Sequence, residues 1–157
     1  TDHLARIKNR KHYDDYIIKE IDQVKRYNHK MSLMLLDIDD FKIINDKYGH
    51  DIGDSVLIEL CRLIESIIRK SDTFCRIGGE EFAIICPNLS FDHNYQFANK
   101  IIECVEKHDF NIAKRVTVSI GIANCTKDDD RNTLFKKADN ALYQSKKSGK
   151  NQVNITE

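Results

Sequence analysis

The stretch Phe74–Pro87, FCRIGGEEFAIICP, sets two glycines and two glutamates between two short apolar runs. An apolar–turn–apolar pattern predicts a β-hairpin. Gly78-Gly79 is expected to make the turn, because glycine takes positive φ without a Cβ clash. A hairpin needs nothing more. The adjacent carboxylates Glu80 and Glu81, followed by a run as apolar as FAIIC, therefore need a reason of their own.

The flanking segments supply the rest of a mixed fold. Asn9–Asn28 is apolar at Tyr13, Tyr16, Ile17, Ile21 and Val24, the spacing of an amphipathic helix. MSLMLLDID (Met31–Asp39) reads as a buried strand that runs into acids. A short helix is expected over Phe41–Tyr48 and a strong one over His50–Lys70. Pro87 should stop the second hairpin strand. Leu89–His108 is another helix, with Ser90 as its N-cap. Arg115–Asn124 alternates and is β-branched, so it predicts a strand. Asp128–Gly149 is a helix with lysines in its last turns, and Asn151–Ile155 a final short strand. The order α-β-α-β-β-α-β-α-β predicts an α/β (α+β) domain: a single domain in which helices flank a central mixed five-stranded sheet.

Bulk composition excludes several classes. A chain of 157 residues is most simply one domain. Its 25 basic and 25 acidic side chains cancel, so no global field recruits nucleic acid or anionic membrane. The apolar runs are far short of the ~20 residues that span a bilayer. The N-terminal TDHLARIKNRKHY is polar and carries no signal-peptide pattern. The five cysteines, at 61, 75, 86, 104 and 125, form no CxxC pair and mostly sit in apolar segments. They read as small buried hydrophobes in a reducing, cytoplasmic setting. No HExxH or GxSxG supports a zinc protease or a serine hydrolase.

The acids form a constellation. Asp37-Ile38-Asp39-Asp40 ends the first strand, Glu80-Glu81 sits at the hairpin, and Asp51 and Asp54 lie with Asn45 around Gly49-His50. Alternate strand residues share a face, so Asp37 and Asp39 are expected to be neighbours unless the strand has ended. Each cluster alone could be a solvated loop or a helix cap. Together they suit a hard oxygen-liganded cation, Mg²⁺ or Mn²⁺. Two such ions could hold a triphosphate and activate a hydroxyl. Lys42, one turn on, would neutralise charge on a transferring phosphoryl group, and otherwise would be a surface ion pair. Gly78-Gly79 would leave the turn bare for a nucleotide.

DIDDFKIINDKYGHDIGD, RIGGEEF and ADNALYQSKKSGKN, in that order, resemble the GGDEF domain family of diguanylate cyclases in its GGEEF form. The matching motifs run from Leu4 to Val153. The resemblance implies a single palm-like domain, with a fold related to nucleotidyl cyclases and polymerase palms. It also implies condensation of two GTP into cyclic di-GMP and two pyrophosphates by a homodimer, with two Mg²⁺ or Mn²⁺ per active site. On it, Asp37, the Ile38 carbonyl and Glu80 hold metal, which displaces Asp39 as a ligand. Glu80 is the base toward the 3′-hydroxyl, Glu81 its companion, and Lys42 the phosphate lysine. Amides around Asp40 and Phe41 take the terminal phosphates, and Lys146 and Lys150 also contact phosphate. Asn45, His50 and Asp54 bind the nucleoside. A carboxylate accepts from guanine's N1–H and amine together, which selects GTP over ATP.

Arg69-Lys70-Ser71-Asp72 resembles the family's RxxD site, where product binds and inhibits. One segment departs. The family opens D-x-L-T-G-L-x-N-R, whereas this chain reads Asp2-His3-Leu4-Ala5-Arg6-Ile7-Lys8-Asn9-Arg10. That bears on how the first helix begins and how an upstream sensor or receiver domain is coupled.

The expectation over residues 1–157 is thus a GGDEF domain, the C-terminal catalytic part of a longer bacterial protein whose whole form could be membrane-anchored. The isolated domain makes no membrane contact of its own. It is expected to be mostly monomeric and weakly active. The first rival is a retired cyclase that binds cyclic di-GMP or GTP, against which the intact Asp37, Lys42, Glu80 and Glu81 speak. Another palm-like nucleotidyl cyclase and a structural interaction domain are the others.

Overall fold

The computed structural model describes residues 1–156. Helix α1 (Arg10–Tyr27) starts where the Asn9 side chain accepts from the His12 amide at 3.2 Å, and it stops at Asn28 in the left-handed region. Strand β1 (Met31–Ile38) follows, then α2 (Phe41–Tyr48) and α3 (His50–Ile67). The hairpin is β2 (Thr73–Arg76) and β3 (Glu81–Pro87). Helix α4 (Phe91–Lys107) is capped by Ser90 as expected, and leads to β4 (Val118–Asn124). Helix α5 (Arg131–Lys147) begins at a reciprocal capping box between Asp130 and Thr133, and β5 (Val153–Thr156) ends the fold.

One five-stranded sheet runs in the order β2-β3-β1-β4-β5. All its pairs are antiparallel except β4 with β5. β1 lies at the centre, and all eight of its residues are buried. Helices cover both faces, which is why its sequence is a continuous apolar run and not an alternating one. Met34, Leu36 and Ile38 join the core under α3 and α4; Met31, Leu33 and Leu35 join the core under α1 and α5. The same alternation puts Asp37 on the α1/α5 face.

Three expectations change. The helix after Gly49 ends at Ile67, not Lys70, because Ile68 is already extended. The strand expected from Arg115 starts at Val118, because a 3₁₀ turn at Asn111–Ala113 and a left-handed Lys114 take up the chain before it. Neither Gly78 nor Gly79 takes positive φ; among the described residues only Gly49 and Gly149 do so as glycines. The hairpin turn closes by other means. The amides of Ile77 and Gly78 both donate to the Glu81 carbonyl, at 3.0 and 3.2 Å. Arg76 then donates to the Gly78 carbonyl at 3.1 Å and to the Gly79 carbonyl at 2.7 Å.

Helix α5 approaches β4 very closely at Gly121. A Cβ there would stand 2.1 Å from the Leu142 amide nitrogen. This contact sets the height of α5 over the sheet, and hence of the lysines at its end. Four of the five cysteines are buried and Cys104 is half-buried; all are free thiols. Burial pushes Cys61 up to about 12 and Cys75 up to about 11, so they serve packing, not chemistry. Among the described residues no helix is long and apolar enough to cross a membrane.

Candidate active site

The acids gather at one end of the sheet, where β1 leaves it. Asp37 is the register partner of Glu81 across β1 and β3, and the Ile38 amide donates to the Glu80 carbonyl at 3.3 Å. The strand tip and the hairpin bend, more than forty residues apart in sequence, are thus neighbours in space. Asp37 is 4 % exposed. Its Oδ2 accepts from the Lys146 ammonium, while its Oδ1 is buried with no hydrogen-bond partner. Burial pushes Asp37 up to about 6, against the pull of Lys146; Glu80 and Glu81 push it the same way as burial. A buried carboxylate oxygen with no donor, beside two more carboxylates, is a site short of positive charge.

Asp39 is used differently. β1 ends at Ile38, so Asp39 is no longer a strand neighbour of Asp37. Its Oδ1 accepts from Ser119 Oγ at 2.6 Å, and its Oδ2 from Thr117 Oγ1 at 2.7 Å and the Asn151 amide at 3.0 Å. These bonds tie the tip of β1 to β4 and to the turn before β5. The metal-ligand reading of Asp39 from strand alternation is therefore corrected: both oxygens are spent on the scaffold.

Asp40 sits in the left-handed region at φ 56° and caps α2 without using its side chain. The amides of Asp40, Phe41, Lys42 and Ile43 donate to no protein acceptor among the described residues. Such a helix N-terminus suits phosphate. Lys42 is exposed in the first turn and belongs to no ion pair among the described residues. Lys150 pairs with Asp40, reached through a tight turn in which Gly149, Lys150 and Asn151 all have positive φ. Lys146 and Lys150 therefore reach the acids from α5 and the turn after it.

Asn45 lies in α2, and His50 and Asp54 lie in the first turns of α3, on either side of the corner at Gly49. His50 and Asp54 are exposed, and Asn45 is half-buried. Gly53 shapes this corner: a Cβ on it would stand 1.8 Å from Asn45 Oδ1. Gly79 faces open space, with nothing within 4 Å of a Cβ built there.

The sequence reading missed three positions. Gly53 is one, and a glycine inside an apolar helical pattern was the available signal. The others are Asp2 and Arg76. Arg76 clamps the hairpin carbonyls, and its Nη1 also donates to both Asp2 oxygens, at 3.3 and 3.2 Å. No local pattern marks that pairing.

Arg69 and Asp72 do meet. Asp72 accepts from Arg69 through its backbone amide at 2.8 Å, Nε at 3.1 Å and Nη2 at 2.6 Å. Arg69 Nη2 also donates to the Pro87 carbonyl at 2.9 Å. The pair borders a cleft that Phe74 of the edge strand β2 also lines.

Among the described residues no three His, Cys, Asp or Glu side chains form a ready metal cage. The oxygens that a cation at this end of the sheet would draw on are hard: Asp37 Oδ1, the Glu80 carboxylate and the Ile38 carbonyl. That fits Mg²⁺ or Mn²⁺, which are commonly held by one or two carboxylates with substrate phosphates completing the shell.

The family described as "Diguanylate cyclase, GGDEF domain" matches residues 1–152. The chain is 44% identical over 122 residues to the diguanylate cyclase DgcM of Escherichia coli, covering 78% of this chain and 30% of that protein. It is 37% identical over 159 residues to the response regulator PleD of Caulobacter vibrioides, covering 98% of this chain and 35% of that protein. The chain thus spans about a third of the length of these relatives. Among solved structures, the GGDEF domain of DgcB from Caulobacter crescentus in complex with c-di-GMP superposes with a TM-score of 0.94 at 30% identity, covering 99% of this chain and 94% of that one. The active GGEEF domain of a diguanylate cyclase from Vibrio cholerae gives 0.91 at 30% identity, covering 97% and 99%. The family match over nearly the whole chain, its GGEEF hairpin opposite Asp37, and the superposed sheets together make this chain a member of the GGDEF domain family of diguanylate cyclases.

Proposed function

We propose that the protein condenses two GTP into cyclic di-GMP and two pyrophosphates. The observation that carries this reading is the partnerless Asp37 Oδ1 set beside Glu80 and Glu81, next to a run of unused amides at the start of α2. The first group needs cations and the second needs phosphate, and a metal-bound nucleoside triphosphate supplies both.

Asp37, the Ile38 carbonyl and Glu80 would hold two Mg²⁺ or Mn²⁺ ions, which when bound neutralise phosphate charge and favour the alkoxide. The amides around Asp40 and Phe41 hold the terminal phosphates. Lys42 balances charge as pyrophosphate leaves. Lys146 and Lys150 exchange Asp37 and Asp40 for phosphate oxygens. Glu80 accepts the proton of the 3′-hydroxyl and Glu81 supports it. Asn45, His50 and Asp54 take the nucleoside, with the Asp54 carboxylate choosing guanine. The nucleobase edge lies over the bare backbone of Gly78 and Gly79.

Each copy holds one GTP, and each 3′-oxygen forms a bond to the α-phosphorus of the other nucleotide as pyrophosphate departs. Two copies must face each other about a two-fold axis. Arg69 and Asp72 form the product-inhibition site. In its full form the domain follows a sensor or receiver domain and works on the cytoplasmic side.

The test incubates the protein with Mg²⁺ and GTP, and separately with ATP, and separates the products by chromatography. Cyclic di-GMP from GTP alone is expected, with activity rising faster than linearly with enzyme at dilution. Glu80→Gln should lose turnover about 100-fold or more and keep part of its GTP binding. Normal turnover by Glu80→Gln would overturn the assignment of the base. GTP binding without any product would leave a binding module instead.

A further inference from the structure

The segment before α1 contains a residue in a conformation that its side chain does not favour. Asp2 closes a turn over residues 2–7: its amide donates to the Ile7 carbonyl at 2.7 Å, and its carbonyl accepts from the Arg6 amide at 2.9 Å. Asp2 Oδ1 also accepts from the Ala5 amide at 2.8 Å. The turn holds residue 6 in the left-handed region, at φ 56°. Glycine takes that conformation freely, whereas a side chain there meets the following carbonyl. This chain nonetheless carries arginine.

Arg6 belongs to no ion pair among the described residues. It lines a cleft of about 390 Å³ that it shares with Lys8, Arg69 and Lys70. Against these four cations stand Glu65 and Asp72. Asp72 is already spent on Arg69, and its side chain is fully buried. Ile68 and Phe74 add apolar surface to the same cleft. Cations with little to balance them, next to flat apolar surface, suit a ligand with phosphate charge and ring faces. The Arg69 guanidinium faces Asp72 and the Pro87 carbonyl, so Arg6 is the arginine there whose donors are uncommitted.

We propose that Arg6 is a binding residue of this cleft and gives its guanidinium to a phosphodiester of the bound cyclic dinucleotide. The proposal rests on the reading of Arg69 and Asp72 as the product site. It adds a contact that the Thr-Gly form of the segment cannot make. The left-handed strain at residue 6 is then the cost of placing a cation where glycine would sit more comfortably.

The experiment measures cyclic di-GMP binding by titration calorimetry, after any carried-over dinucleotide is removed with a phosphodiesterase. Arg6→Gly relieves the strained φ, so it should melt at or above the temperature of the native chain. Its Kd for cyclic di-GMP should rise about 10-fold, with Arg6→Lys in between, and its affinity should fall less steeply with added salt. Arg69→Ala should lose binding altogether. Native affinity in Arg6→Gly with binding lost in Arg69→Ala overturns the role of Arg6 and leaves the product site standing. Native affinity in both overturns the site as well. A 10-fold loss in Arg6→Gly that Arg6→Lys shares in full, with both melting several degrees lower, would mean that the turn and not the guanidinium is responsible, and also overturns the proposal.

Discussion

Gly53→Ala separates binding from stability more cleanly than any change to a charged residue. Gly53 sits in the first turns of α3, buried, at an ordinary helical φ. Alanine there should favour the helix by up to about 1 kcal/mol relative to glycine. The space is the difficulty. The added Cβ would lie 1.8 Å from Asn45 Oδ1 and 2.9 Å from its Cγ, while Phe41 at 3.4 Å makes an ordinary contact. Real Cβ contacts rarely fall below about 3 Å, so the Asn45 carboxamide must move by roughly 1 Å or more. It makes no side-chain hydrogen bond within the protein among the described residues, so it can rotate away at little cost to the fold. On the role proposed for it, what it loses is its aim at the nucleoside. One neutral hydrogen bond is worth about 0.5–1.5 kcal/mol, or roughly 2- to 13-fold in affinity. The expected result is a several-fold rise in the Kd for GTP, with ATP binding unchanged. The melting temperature should stay constant or rise by about 2–4 °C, the response per kcal/mol for a chain of this size. Calorimetry with GTP and with ATP, beside thermal melts, reads both. Asn45→Ala placed in the Gly53→Ala background should add little, since the two changes remove one contact. Undiminished GTP affinity in Gly53→Ala, or additive losses in the double variant, would refute the reasoning.

Two further predictions concern the sheet end. Asp37 is pushed up from 3.8 to about 6 by burial, with Glu80 and Glu81 adding to burial and Lys146 opposing it. A raised carboxylate pKa means that the folded state takes up a proton as pH falls through about 6. Ionised Asp37 therefore opposes folding above that pH, and its penalty disappears as pH drops to about 4. In EDTA, Asp37→Asn should melt about 2–12 °C higher than the native chain at neutral pH, from about 1–3 kcal/mol, and the gap should close toward pH 4. Mg²⁺ should raise the melting temperature of the native chain near pH 7 but not that of Asp37→Asn; a variant that melts lower than the native chain in EDTA at neutral pH sinks this account. Gly121→Ala should be severe, because its Cβ would lie 2.1 Å from the Leu142 nitrogen, 2.4 Å from the Ala138 carbonyl oxygen and 2.7 Å from the Leu142 Cα, all backbone atoms. Helix α5 must lift off β4, costing about 3 kcal/mol or more and lowering the melting temperature by roughly 6–12 °C; a loss below 1 kcal/mol would contradict the close approach.

Much of the architecture is local in origin and was readable as such. The apolar spacing of Tyr13, Ile17, Ile21 and Val24 is the buried stripe of α1. The unbroken run of β1 matches a strand covered on both faces. The Ser90 cap and the acids at the hairpin stand where the letters indicate. Turn geometry was less legible. Gly78-Gly79 suggests a positive-φ turn, yet the loop is closed by Arg76 and by amides donating to the Glu81 carbonyl. Glycine there is equally consistent with a bare surface, and sequence cannot separate the two uses.

The chain's own letters determined which residues carry charge, which segments are helix or strand, and that acids follow a buried strand, because the 3.6- and 2-residue periods act between near neighbours. Only tertiary structure decided what each acid does. Asp37 and Asp39 are two residues apart, and strand alternation alone would make them equivalent. Asp39 meets donors from residues 78, 80 and 112 positions away and is silenced as scaffold. Asp37 meets one lysine 109 positions away and keeps an oxygen without a partner. The cost of a buried charge depends on the partners that the fold brings to it from distant parts of the chain, and those no local period encodes.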